Sequence, residues 1–308
     1  MKFYKYQGTG NDFIMIDNRN NSFSETQKKD NHFIEKLCHR RFGIGADGLI
    51  LIENSKGNST EADFKMVYFN SDGNLGSMCG NGGRCAVAFA YFLGIFVGNQ
   101  TTFMAFDGLH FAKVAGLEKQ ETSTQVELQM SNVSEIEINA NLEKPFYFLN
   151  TGSPHYVTFL NHNTNQVIQN EPFSLENYEV VEEGKKVRYN ARFKKEGTNV
   201  NFVVRNANNS EKNSIFVRTY ERGVEDETLS CGTGVTACAI SYFLNENLDK
   251  NLGKTEFQKS NLVNVQTLGG NLKVRFDYSN ATKNTNSEHH FTNIFLVGAA
   301  TAVFEGNF

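Results

Sequence analysis

The sequence predicts an α+β protein of two comparable halves, each a β-rich layer wrapped around one helix. Strand-like runs rich in aromatic and β-branched residues dominate the chain, and helical candidates are few. Two stretches have nearly the same wording, Cys79-Gly80-Asn81-Gly82 and Cys231-Gly232-Thr233-Gly234; each follows a strand-like run and opens an apolar helix-like run. A break within 131–141 divides the 308 residues so that each half holds one copy.

In chain order the strand candidates are 13–17, 49–52, 64–70, 126–130, 146–150, 156–159, 200–204, 215–220, 263–267, 272–276 and 294–297. Each is a short run dense in aromatic and branched side chains, the composition that fits a pleated, half-buried surface. Helices are expected at 24–38, 82–93, 172–180 and 234–248. The third opens on Pro172, whose fixed φ suits a first helical position. Asn- and Ser-rich stretches at 54–61, 206–213 and 279–290 read as surface loops. No short-period repeat is present, which argues against a solenoid or propeller.

With 39% apolar and 21% charged residues, no Trp and three Pro, the composition is that of an ordinary soluble globular protein. A net charge of −4 leaves no broad basic footprint, so neither nucleic acid nor an anionic membrane is expected as a partner. Basic residues come in pairs such as Lys28-Lys29, Arg40-Arg41 and Lys185-Lys186, not in runs. The N-terminus lacks the apolar core of a signal peptide, and no stretch approaches a membrane span, so a cytoplasmic location is expected. Five cysteines, an odd number, point to reduced thiols in place of a disulfide framework.

A Cys-Gly-X-Gly helix start places a thiol where free N–H groups and the helix dipole favour a thiolate and receive carboxylates. Zinc would prefer Cys-x₂-Cys or His-rich spacing, which these segments do not supply, so no metal is expected. Cys85 and Cys238 lie among Ala, Val and Phe and read as buried packing. Two thiols facing each other across a ligand suit inversion of a tetrahedral carbon: one thiolate removes a proton and the opposite thiol returns one. The Cα–H of an amino acid is a weak acid, so helix N-termini aimed at the α-carboxylate would have to stabilise the carbanion, in a site that excludes water.

Further segments extend the pattern: Gly8-Thr9-Gly10-Asn11-Asp12-Phe13, Arg41-Phe42-Gly43-Ile44-Gly45-Ala46-Asp47-Gly48, Phe69-Asn70-Ser71-Asp72-Gly73, Gly152-Ser153-Pro154-His155, Thr198-Asn199-Val200 and Glu221-Arg222-Gly223. With the two cysteine segments, and in this order, they make the chain resemble the diaminopimelate epimerases over nearly its whole length. The resemblance implies two pseudo-symmetric domains, each a β-barrel-like sheet around a central helix, with the active site in the cleft between them. It divides the chain into 1–130, to which a final strand at 298–308 returns, and 131–297. It implies a cofactor-independent enzyme that interconverts LL- and meso-2,6-diaminopimelate, with Cys79 and Cys231 as the acid–base pair.

By the same resemblance Gly80, Asn81, Gly232 and Thr233 hold the reacting α-carboxylate, and Asn11, Asn70, Asn199 and Arg222 contact the substrate's amino and carboxylate groups. Glu221 and His155 are placed to influence the thiols and the α-ammonium, with Ser153 in support. No cofactor is implied, and the expected partner is the small-molecule substrate; monomer and homodimer both stay open. Three departures from the family pattern stand out: Ser153 where Asn is frequent, Gly48 where Gln is frequent, and one residue more between Glu221 and Cys231, with the acidic run Glu225-Asp226-Glu227.

Overall fold

Alternation of buried and exposed side chains begins at the second residue. The computed structural model describes residues 1–55, 62–76, 78–115, 122–139, 145–160, 175–205, 213–247, 257–280 and 289–308. They divide into two units, Met1–Gln129 with Val297–Phe308, and Met130–Leu296.

In the first unit, β1 (Lys2–Gly8) and β2 (Asn11–Asp17) form a hairpin through Thr9 and Gly10. Both turn residues have positive φ, 51° and 85°, the type I′ geometry that matches strand twist. β3 (Gly48–Glu53) lies parallel to β2, and β4 (Phe64–Asn70) runs antiparallel to β3. β5 (Gln100–Ala105), β6 (Gly108–Ala115) and β7 (Ser123–Gln129) continue the sheet. The last strand, β16 (His289–Asn307), pairs antiparallel with β7 and with β1, which closes this sheet into a barrel. Before β3 come two short helices, α1 (Glu25–Lys28) and α2 (Asn31–Cys38). Their Ile34, Leu37 and Cys38 pack with Ile14, Ile16, Leu49 and Leu51.

α3 (Gly80–Phe92) is buried from Gly80 through Ala90. A helix apolar or small on every side belongs inside a core. Phe89, fully buried, meets the rings of Tyr4 and Tyr6 at 4.9 and 5.6 Å; truncating such a ring costs about 3–5 kcal/mol.

The second unit contains β8 (Ile136–Asn139), β9 (Phe146–Asn150), β10 (Pro154–Phe159), β11 (Asn199–Arg205), β12 (Ser214–Glu221), β13 (Asp226–Thr228), β14 (Phe257–Thr267) and β15 (Gly270–Asn280). β10 and β11 are parallel with His155 opposite Asn199, and β11 and β12 antiparallel with Asn201 opposite Thr219. A bridge between Val133 and Phe291 joins the segment before β8 to the start of β16. Strand alternation sends Val200, Phe202 and Val204 into an apolar layer with Val180 and Tyr220, under α4 (Val180–Arg188). Asn199, Asn201 and Val203 take the other face of β11, toward α5 (Gly232–Asn247), whose residues are buried nearly all round.

Several expectations need correction. The helix expected at 24–38 is two helices, because Ser24 caps the first with a capping box and Asp30 caps the second through the Phe33 N–H. The one expected at 172–180 is a 3₁₀ turn, Leu175–Asn177, followed by α4; Pro172 lies outside the described residues. α4 escapes local reading because it carries Val180-Val181 and Gly184, poor helix formers. Packing settles it: a Cβ at Gly184 would lie 2.5 Å from Tyr220 Cβ. β1, β5, β6, β8 and β13 were not expected, and β8 falls within the presumed break at 131–141. Of the expected loops, 56–61, 206–212 and 281–288 lie outside the described residues, whereas 279–280 and 289–290 belong to β15 and β16. Among the described residues no helix is long and apolar enough to cross a membrane.

Candidate active site

α3 and α5 each begin two residues earlier than expected, immediately after a cysteine. Cys79 is the N-cap of α3: its carbonyl accepts from the Gly83 N–H at 2.8 Å, and its Sγ accepts from the Gly82 N–H at 3.2 Å. Gly80 and Asn81 therefore form the first helical turn, and both are buried. Asn81 Oδ1 accepts from Thr9 Oγ1 at 3.3 Å, and Thr9 Oγ1 accepts from Arg84 Nη2 at 3.1 Å. Arg84 Nη1 reaches the Gly80 carbonyl at 3.3 Å. Arg84 is fully buried, burial works against its charge, and no described carboxylate pairs with it. The hairpin turn and the helix start are thus tied through one guanidinium.

Asn11 opens β2, and its Nδ2 donates to Asp47 Oδ2 at 2.6 Å. Arg40 bridges Asp47 and Asp12, and Lys5 pairs with Asp12 at 2.9 Å. Burial works to raise the Asp12 carboxyl, but Arg40 and Lys5 overcome it and hold the group below the usual carboxylate range. Asn70 ends β4 at a turn in which its N–H donates to the Asn74 carbonyl and its carbonyl accepts from Gly73. Gly48 has a steric reason for being Gly: a Cβ there would lie 2.5 Å from both the Phe69 carbonyl oxygen and Tyr68 Cε2. Tyr68 fills the space that a longer residue at 48 would enter.

In the second unit Cys231 accepts the Val235 N–H at its carbonyl, 2.8 Å, so it precedes α5 as Cys79 precedes α3. Its Sγ lies 3.4 Å from Thr233 Oγ1. Thr233 Oγ1 is 2.9 Å from Nε2 of His155, whose Nδ1 is 3.2 Å from Asn201 Nδ2. His155 is fully buried; burial first, then the Arg222 charge, pushes its pKa down to about 3, so it is neutral. Gly234 is Gly because a Cβ would stand 2.6 Å from Asn201 Oδ1.

Asn199 engages both polar atoms inside this unit: Nδ2 donates to Ser153 Oγ at 2.8 Å and to the Pro154 carbonyl at 3.0 Å, and Oδ1 accepts from the Arg222 N–H at 2.9 Å. These bonds fix the Asn199 amide beside Arg222, with one lone pair of Oδ1 still able to accept. Arg222 Nη1 donates to the Glu196 carbonyl, and its side chain borders a cavity of about 460 Å³ with Phe148, Arg192 and Phe193. Glu221 is raised from the usual carboxylate range by burial, and its Oε2 accepts from Thr228 Oγ1. In the acidic run, Glu225 accepts from Arg188, Tyr189 and Tyr220, and Glu227 accepts from Arg218. Two of the three carboxylates therefore hold the turn together.

No disulfide joins the cysteines, and Cys38, Cys85 and Cys238 are buried. Burial pushes Cys38 and Cys85 up to about 12 and Cys238 well above its ordinary value. Among the described residues no three His, Cys, Asp or Glu side chains group as metal ligands. Sequence reasoning missed Thr9, Asp47, Arg84, Asn201 and Thr219. The available signal was polar side chains inside apolar runs: Asn201 follows Asn199 by two and so shares its strand face.

The chain is similar to known proteins over nearly its whole length. A search of solved structures finds the Bacillus anthracis phenazine biosynthesis protein of the PhzF family, with a TM-score of 0.62 and 16% identity over 99% of this chain and 98% of that one, a likeness of fold. The chain is 48% identical over 305 residues to the diaminopimelate epimerase of Flavobacterium psychrophilum, covering 99% of each. It is 39% identical over 314 residues to that of Aquifex aeolicus, covering 99% of this chain and 97% of the other. The profile of the diaminopimelate epimerase family matches residues 3–109 and 147–289, which takes in both cysteine-capped helix starts. A chain that matches the family through both of its units, and relatives over nearly its full length, belongs to the diaminopimelate epimerase family.

Proposed function

We propose that this chain interconverts LL- and meso-2,6-diaminopimelate without a cofactor, Cys79 and Cys231 serving as the acid–base pair at the α-carbon. The observation that carries the reading is the repeated helix start: in each unit a cysteine stands just before a buried central helix. In one direction the thiolate of one cysteine takes the α-proton, so that a C–H bond breaks and an S–H bond forms. The thiol of the other then delivers its proton to the opposite face, and the carbon is inverted with no net change in protons. The reverse reaction exchanges the roles of the thiols.

The helix starts at Gly80 and Asn81 and at Gly232 and Thr233 direct backbone N–H groups and the positive end of the helix dipole toward the α-carboxylate and the charge that develops on it. Asn11 has its amide nitrogen engaged by Asp47, which leaves Oδ1 as an acceptor for an ammonium. Asn70 and the Arg222 fork suit the far end of the substrate, Arg222 by bidentate pairing with the second carboxylate. Asn199 joins them at the substrate's charged groups, and Glu221 and His155 complete the site, with Ser153 in support through the Asn199 amide. A reducing, cytoplasmic setting fits a pair of thiols that must stay reduced.

The test is proton exchange. Incubated with LL-diaminopimelate in D₂O without pyridoxal phosphate, the protein is expected to incorporate deuterium at the α-carbon and yield the meso isomer. Cys79→Ala and Cys231→Ala are each expected to abolish epimerisation while the circular dichroism spectrum is retained. Full activity in either variant would refute the two-thiol assignment. Tight binding with neither exchange nor inversion in the parent would make the protein an amino-acid receptor.

A further inference from the structure

Hydrogen-bond direction can be assigned along the buried chain that ends at Cys231. Asn201 sits on β11 opposite Thr219 of β12 and beside β10. Its Nδ2 lies 2.9 Å from the Tyr156 carbonyl oxygen, which can only accept. That contact settles the amide orientation, since the reversed group would set two acceptors against each other. Asn201 Oδ1 then accepts from Thr219 Oγ1 at 3.0 Å, and Nδ2 uses its second hydrogen on His155 Nδ1 at 3.2 Å.

A neutral imidazole that accepts at Nδ1 carries its proton on Nε2. Nε2 therefore donates to Thr233 Oγ1 at 2.9 Å. A hydroxyl that accepts from the imidazole has its own proton left to give, and Cys231 Sγ lies 3.4 Å away. Every link then points toward sulphur: Thr219 to Asn201, Asn201 to His155, His155 to Thr233, and Thr233 to Cys231.

We propose that this one-way chain serves the thiolate of Cys231, and that Asn201 is a positioning residue that acts by dictating which imidazole nitrogen bears the proton. The role of His155 is then that of a donor, not of a base that deprotonates the thiol. With the proton on Nδ1, the ring would accept at Nε2 and draw the Thr233 hydroxyl away from sulphur. Gly234 belongs to the same device, because any side chain there would displace Asn201 Oδ1 and crowd His155 Cε1, 3.3 Å away.

The ionisable groups that bear on the chain are few. Arg222, at the end of β12, opposes a positive charge on His155. Glu221 beside it is bonded to Thr228, and Cys238, further along α5, is fully buried and stays a thiol. The link to catalysis rests on the proposed role of Cys231, but the chain can be tested without substrate.

The experiment uses the full-length Cys79→Ala protein, in which Cys38, Cys85 and Cys238 remain buried, and follows alkylation of Cys231 by iodoacetamide against pH, with the modified residue identified by mass spectrometry. Thr233→Val and Asn201→Leu are each expected to move the midpoint upward, by about one pH unit for Thr233→Val, or roughly tenfold slower alkylation below the midpoint. Thr233→Ser is expected to restore the parental profile. Nitrogen-15 NMR of the imidazole is expected to show the proton on Nε2 in the parent. Parental alkylation profiles in both Thr233→Val and Asn201→Leu, or a proton on Nδ1 in the parent, would overturn the proposal. Should a variant fail to fold, the imidazole spectrum of the parent still decides it. Failure of proton exchange with diaminopimelate, beside a shifted alkylation profile, would instead count against the epimerase reading and leave the chain in place.

Discussion

Asn199 holds the backbone N–H of Arg222 with its side-chain oxygen at 2.9 Å while its amide nitrogen holds Ser153 and the Pro154 carbonyl. One amide thereby ties the start of β11 to the end of β12 and to the loop before β10. Asn199→Leu would leave these buried partners unsatisfied, at about 1–3 kcal/mol each for those that water cannot reach. A drop in denaturation midpoint is expected, together with a rise in KM that exceeds the change in kcat, which follows from the substrate-binding role proposed for Arg222. Steady-state kinetics and urea titration check both.

The two Cys-Gly-X-Gly copies differ in what stands over their last glycine. At Gly234 a Cβ would meet Asn201 Oδ1 at 2.6 Å, an atom fixed by Thr219. At Gly82 it would meet Cys79 Sγ at 3.1 Å and the ends of Ile50 and Met66 at 3.3 and 3.5 Å, which can yield. Gly234→Ala is therefore expected to cost about 1–3 kcal/mol, the usual penalty of overpacking. Gly82→Ala is expected to cost less. Paired thermal melts give the comparison.

Acid should destabilise the protein through His155. Its folded pKa, about 3, lies below the ordinary 6.5, so the unfolded chain binds the proton more readily. The stability contributed by the neutral ring is complete above pH 6.5 and is lost as pH falls from there toward 3, with a slope of up to about 1.4 kcal/mol per pH unit. Asp12, held low by Arg40 and Lys5, adds a loss only below the ordinary carboxylate range. Denaturant unfolding between pH 7 and pH 5 should show the first slope, and His155→Gln should remove it.

The acidic run after Arg222 separates into unequal members. Glu225 adopts a positive φ of 58° and accepts from Arg188, Tyr189 and Tyr220. Asp226 is exposed. Glu225→Ala is expected to cost about 2 kcal/mol, through several charge-assisted bonds in a partly screened site. Asp226→Ala is expected to lie within about 0.5 kcal/mol of the parent. Chemical denaturation of the two variants tests the difference.

Strand-rich organisation, both cysteine-headed helices and the family were legible in the sequence, because each is written locally. Dense aromatic and branched runs mark β2, β4 and β12; small and apolar residues after Cys-Gly mark α3 and α5; and the ordered motifs mark the relatives. What tertiary structure alone decided lies in partners distant along the chain. α4 forms because Gly184 fits against Tyr220, and Gly48 suits its place because Tyr68 occupies the space beside it. That Asn199 also holds the Arg222 N–H follows from strand register. Asn201 drew no notice until strand pairing set it between Thr219 and His155. Local propensity reports which face a residue takes. Hydrogen-bond direction depends on which acceptor stands opposite, and only strand register brings that acceptor there.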